Sequence, residues 1–165
     1  MQSARQSVRQ FVTRLLPSFF ISWLLTFSLA SLFHSQYVVN QLVNLGIEVG
    51  INVRTSLVFD DWLGLLPTYG SIIAIALLIA FSLAGWLVKR LNNHRNALFV
   101  TAGILAFVVV LTAINSIMHI NIIAGARGWG FYLQLLAGAI GGYVFAMLSQ
   151  RKLSQPKPNQ NERAQ

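Results

Sequence analysis

His34, Glu48, Arg54, Asp60, Asp61, His119 and Arg127 are the residues of this sequence whose types could do chemistry together. Three chemistries are open to them. In the first, which is structural, Arg127 pairs with Asp60, Asp61 or Glu48, and the histidines satisfy backbone carbonyls at an interface. In the second, His34 and His119 come from different helices of a four-helix membrane bundle and act as axial haem ligands; no second histidine pair is present for a second haem. In the third, the two histidines and the carboxylates build a metal or hydrolytic site. No HExxH, GxSxG or close His-x-His spacing supports that third reading. The structural reading asks least of the residues, so no cofactor and no metal are expected, with His34 and His119 the pair to test for haem. Cysteine is absent, which excludes disulfides, thiol redox chemistry and Cys-ligated zinc or iron–sulfur clusters.

What must position these residues is a membrane domain. Of 165 residues, 55% are hydrophobic and 10% charged, against about 25% charged in soluble domains. Mean hydropathy is +0.62. Four runs are long enough for the roughly 20 residues that a bilayer core demands of a helix. They lie at about 15–34, 69–88, 97–118 and 129–149. The expected organisation is a short N-terminal segment (1–14), one four-helix transmembrane domain (15–149) and a polar, Pro-interrupted tail (150–165) expected to be disordered. Pro17 falls in the expected first turn of the first span. Ser28-Leu29-Ala30 after an arginine-bearing start resembles a signal-peptide cleavage site, but the apolar run is too long and continues past it, so an uncleaved first span is expected.

Charge orients the chain. Arg5, Arg9, Arg14, Lys89, Arg90, Arg95, Arg151, Lys152, Lys157 and Arg163 all fall on one side of a four-span threading, and Arg54 and Arg127 on the other. The positive-inside rule then puts both termini in the cytoplasm, with Glu48, Asp60 and Asp61 outside. The pI of about 10.9 does not point to nucleic acid, because the basic residues flank apolar runs and form no basic domain of their own. Trp62, Tyr69, Trp129 and Trp86 fall where interfacial aromatic belts are expected.

Small residues show where helices should approach. Ala137 with Gly141, and Gly138 with Gly142, give the fourth span two small-xxx-small pairs, the second a GxxxG. Ala76, Ala80 and Ala84 repeat the spacing in the second span, and Ser18, Ser22, Thr26 and Ala30 in the first. Steps of four drift about 40° each on a 3.6-residue helix, so only adjacent pairs are expected to share a face. Bundle packing is the expected use, and self-association through GxxxG the alternative. Thr112, Asn115, Ser116 and Gln134 are the polar residues noted within spans, and no Asp, Glu, Lys or Arg lies deep in one. That argues against ion-coupled transport.

The 35–68 loop carries its own pattern. Residues 35–46 continue the helix to Gly46, a natural C′ residue. Residues 47–53 alternate and suggest a short extended piece. Residues 52–67 place Leu57, Val58, Trp62, Leu65 and Leu66 on one side, with Asp60 and Asp61 opposite and Pro67 as terminator. This predicts an amphipathic helix on the membrane surface or capping the bundle. His94, in the short 91–98 loop, should be solvated.

DDWLGLLPTYGSI (60–72) and IAGARGWGFYLQLLAGAIGGYVFA (123–146) resemble segments of small uncharacterised four-span inner-membrane proteins of proteobacteria. The resemblance covers most of His34 to Ala146 and implies a bacterial inner membrane with the 35–68 loop in the periplasm; it carries over no activity. The expectation is an all-α polytopic protein with a helical periplasmic loop. It is read as a non-enzymatic structural or accessory subunit, embedded in the lipid bilayer, that self-associates or joins a larger complex. The alternatives are an oligomeric small transporter or channel subunit, and a b-type haem protein or other membrane enzyme using His34 and His119.

Overall fold

A computed structural model describes the backbone of residues 2–46, 50–91, 94–118 and 128–153, and the side chains of 15–46, 50–90, 94–116 and 128–150. Among these residues every regular element is a helix: α1 (Gln2–Asn44), α2 (Ile51–Leu65), a π-helical turn (Leu66–Gly70), α3 (Ser71–Leu91), α4 (Arg95–Met118) and α5 (Trp129–Leu153). The protein is an all-α, multi-pass membrane protein, with four helical runs long and apolar enough to cross a bilayer. The α4 and α5 runs of 22 residues each are about 33 Å long, close to the roughly 30 Å hydrocarbon core. We call the end with the α1–α2 connection the hairpin end, and the end with the α3–α4 connection the terminal end.

Two expected boundaries move. Pro17 lies inside α1, which is helical from Gln2. Its missing N–H is one lost bond in a helix otherwise uninterrupted, and membrane helices absorb such a loss. Pro67 does not end the loop helix. Its ring would crowd the carbonyl one turn back, and the backbone widens into the π turn instead of breaking. Leu66 and Ser71 both keep right-handed helical angles, so α2 runs through the turn into α3. Residues 51–53 are accordingly helical, not extended. At the far end of α1 the expectation holds: the helix stops at Asn44 and Gly46 takes φ +80, the left-handed conformation that glycine adopts without penalty.

The bundle is centred on α5, which packs between α1 and α4, while α3 packs on α4 and α2 on α1. Phe81, Phe99 and Phe145 lock α3, α4 and α5 together: the Phe81 and Phe145 rings stack with centroids 4.5 Å apart, and Phe99 meets Phe145 edge-on at 5.1 Å. The α4–α5 seam is closed by glycine. A methyl group added to Gly142 would strike the Phe99 carbonyl, and one added to Gly138 would lie 2.7 Å from the Phe107 ring. The GxxxG pair is therefore spent inside the chain, and its Gly138–Gly142 face is not the surface left for self-association. Gly141 faces the other way, where an added methyl would strike the Thr26 hydroxyl of α1. Ala137 is buried as well.

On α1 the sequence argument from angular drift fails. Ser18, Ser22, Thr26 and Ala30 are all fully buried, so the whole four-residue series shares one packed face. A helix that crosses its neighbours at an angle presents a spiralling stripe, and the stripe absorbs the drift. Ala84 is buried, and Ala76 and Ala80 are half-buried, along a lateral groove between α3 and α4.

Candidate functional site

The polar side chains form a seam. Ser18, Ser22, Thr26, Ser31, His34 and Ser35 are buried along α1. Ser18, Ser22 and Thr26 recur every four residues, the spacing of helix neighbours, and Ser31, His34 and the adjacent Ser35 carry the seam further round the helix. The seam is stitched to the other helices by hydrogen bonds. Ser22 Oγ donates to the Gly141 carbonyl at 2.7 Å. Gln134, fully buried in α5, donates through Nε2 to the Ala30 carbonyl at 3.0 Å and accepts at Oε1 from the Tyr69 hydroxyl at 3.2 Å. Trp23 Nε1 donates to the Gly70 carbonyl at 2.8 Å, tying α1 to the π turn. In an apolar medium such groups need partners; the hydroxyls of Ser18 and Ser31 find none among the described residues.

At the hairpin end the seam meets α2. Ser35 Oγ donates to Asp61 Oδ2 at 2.7 Å, and Trp62 Nε1 donates to Ser28 Oγ at 3.1 Å. Through Ser35, Asp61 is joined to α1 at the residue next to the buried His34. Beside these contacts is a groove of about 630 Å3 between α1 and α2, bordered by Leu32, Gln36, Arg54, Val58 and Phe59. Ser35 Oγ also lies 3.1 Å from the Ser31 carbonyl of its own helix, and its shorter contact with Asp61 joins α1 to α2 as a latch.

The structure thus brings together His34 and Asp61, and places Arg54 on the adjoining groove. It separates Asp60, which is exposed, from Asp61, which faces α1. The expectation that both aspartates lie opposite Trp62 is corrected: residues 54, 57, 58, 61, 62 and 65 form the less exposed stripe of α2, so Asp61 sits beside Trp62 on it. Glu48, His119 and Arg127 lie outside the described residues, as does the tail from 154, so neither the Arg127 pairing nor a His34–His119 haem site is drawn. Among the described residues no group of three or more His, Cys, Asp or Glu gathers to hold a metal.

Tyr69 also departs from expectation. It is buried and bonded to Gln134 instead of standing at an interface, whereas Trp86 and Trp129 are exposed as interfacial residues should be. Thr112 and Asn115 are exposed, and the Thr112 hydroxyl bonds back to the Val108 carbonyl of its own helix at 2.6 Å. Sequence reasoning missed Ser28, Ser31 and Ser35 as seam residues. The available signal is the recurrence of hydroxyl residues from 18 to 35: Ser18, Ser22 and Thr26 read as small residues, and Ser28, Ser31 and Ser35 have no packing role in the sequence reading.

The terminal end carries a second polar cluster. Arg95 Nη2 donates to Ser149 Oγ at 2.6 Å, and its guanidinium lies 5.6 Å from the centre of the Phe99 ring. His94, just before α4, is exposed and has φ 56.

No family model matches the chain, and neither a curated protein nor a solved structure matches it.

Proposed function

We propose that this chain is a non-enzymatic accessory or structural component of a membrane assembly, associating with copies of itself or with other membrane subunits. The observation that carries this reading is the use of the buried polar groups. Ser22, Trp23, Tyr69, Gln134 and Arg95 each bond another helix of the same chain or the π turn beside it, so the interior is committed to holding helices together. The lateral surface is different. Between α3 and α4 runs a groove of about 610 Å3 with Ala76, Ala80, Ala102 and Ala106 among its lining residues, and small residues are what let membrane helices approach closely.

The distribution of Lys and Arg supports both termini on the cytoplasmic side, with the hairpin end on the opposite side of the membrane. A bacterial inner membrane, with the hairpin end in the periplasm, is the setting implied by the resemblance of residues 60–72 and 123–146 to proteobacterial four-span proteins.

The test is the mass of the particle purified in mild detergent and in lipid nanodiscs. A multiple of the 18.3 kDa protomer, or a partner present in fixed stoichiometry in both, is expected. A lone protomer under both conditions overturns the reading. Reporter fusions at each terminus test the orientation, and a periplasmic signal from either terminus overturns it.

A further inference from the structure

Towards the terminal end, α1 and α3 part around a groove of about 540 Å3 that α4 and α5 close from behind. Leu16, Phe19, Leu78, Phe81 and Phe145 line it with apolar surface, and Lys89 and Arg95 line it as well. Lys89 is in the last turn of α3 and Arg95 is the first residue of α4. The two cations therefore stand at the membrane face of the slot, while its length lies at the depth of acyl chains. Arg95 is half-buried, with one guanidinium nitrogen on Ser149 and with its Nε shielded from solvent and without a partner among the described residues. Arg90 adds positive charge close by, 5.4 Å from the centre of the exposed Trp86 ring. Among the described residues the acids are Asp60 and Asp61, both near the opposite end.

An apolar slot headed by two cations and facing lipid matches one occupant in charge and in depth. We propose that the α1–α3 groove binds a single anionic glycerophospholipid, its phosphate against Lys89 and Arg95 and an acyl chain between Phe19 and Leu78. Basic pockets between membrane helices recognise acidic head groups in this way. A neutral helix from another subunit would bring no charge complementary to the two cations. A free phosphate ion would make no use of the aromatic walls.

The experiment titrates the full chain in detergent with phosphatidylglycerol and, separately, with phosphatidylcholine, and counts bound lipid by native mass spectrometry. One phosphatidylglycerol is expected to bind in preference to phosphatidylcholine. Lys89→Gln should weaken phosphatidylglycerol on the order of five-fold, the effect of one basic residue near an anionic surface, and leave phosphatidylcholine unmoved. Gly85→Phe should block both lipids, because Gly85 lines the groove and an added Cβ there meets nothing within 4 Å. Arg95 also holds Ser149, so Arg95→Gln risks the fold, and the Lys89 and Gly85 variants decide the matter. Equal binding of the two lipids by the unaltered chain overturns the proposal, as does phosphatidylglycerol binding that neither variant changes.

Discussion

Gly103 of α4 and Gly138 of α5 meet backbone to backbone: a methyl group on Gly138 would lie 2.5 Å from the Gly103 carbonyl oxygen, and one on Gly103 would strike the Gly138 carbonyl. Nothing flexible separates the two helices there, so an added carbon must push them apart. Gly138→Ala is expected to cost about 1–3 kcal/mol, the usual range for overpacking, and Gly138→Leu to prevent folding. Gly85→Ala, placed where an added Cβ meets nothing, should be neutral or slightly stabilising through helix propensity. Unfolding titrations in mixed micelles compare the midpoints. A Gly138→Ala midpoint equal to that of the unaltered chain would mean that α4 and α5 do not meet there.

Gln134 serves two helices at once, donating to Ala30 of α1 and accepting from Tyr69 of the π turn. Hydrogen bonds between membrane helices contribute about 0.6 kcal/mol on average and up to about 1.7. Tyr69→Phe should lie at the low end, since it removes one bond. Gln134→Leu should cost more, because it also leaves the Tyr69 hydroxyl buried without its acceptor. The double variant should be less damaging than the sum of the two. Strict additivity in the unfolding free energies would show that the two side chains act separately.

How much of this was legible in the sequence follows from which forces act locally. The four spans, the stop at Gly46 and the closeness of the glycine faces are written in composition and spacing, because bilayer thickness and steric size act on the chain directly. The identity of the partner is not written there. Gly138 could have met another copy, and only the tertiary arrangement shows Gly103 of α4 filling that place. Pro67 misled for a similar reason. Proline disfavours the α-helix but not a widened π turn, and the packing of Trp23 and Phe27 against Gly70 supports the wider turn. The candidate site is half legible: His34 and Asp61 stand out by residue type, whereas Ser35, which joins Asp61 to α1, reads only as the start of the helical continuation over 35–46.

Asp61 and Asp60 are adjacent in sequence yet differ in role, since only Asp61 accepts from Ser35. A hydrogen bond to a charged group contributes about 1.5–3 kcal/mol, reduced here because the contact is only partly buried. Asp61→Leu is expected to speed amide hydrogen exchange across residues 51–62 roughly tenfold, corresponding to about 1.4 kcal/mol. Asp61→Asn keeps an acceptor oxygen and should show a smaller change, and Asp60→Leu none. Equal effects from the two leucine variants would remove the latch from the account.

The π turn sets how α2 is rotated relative to α3. Each residue of an α-helix advances by about 100°, so converting the wide turn to a regular α turn would rotate α2 by an angle of that order. Pro67→Ala restores the missing N–H and permits the conversion. The rotation would carry Asp61 away from Ser35 and Trp62 away from Ser28, two bonds that tie α2 to α1. Removing an interior proline favours the helix by up to about 3 kcal/mol, whereas losing these two contacts loosens α2. The expected signature is therefore opposite in sign on the two sides of the turn: slower amide exchange from 68 to 75, and faster exchange from 51 to 65. Faster exchange on both sides would mean that the proline holds the turn without setting the rotation of α2. Unchanged protection of α2 would mean that its seat on α1 does not depend on the π turn.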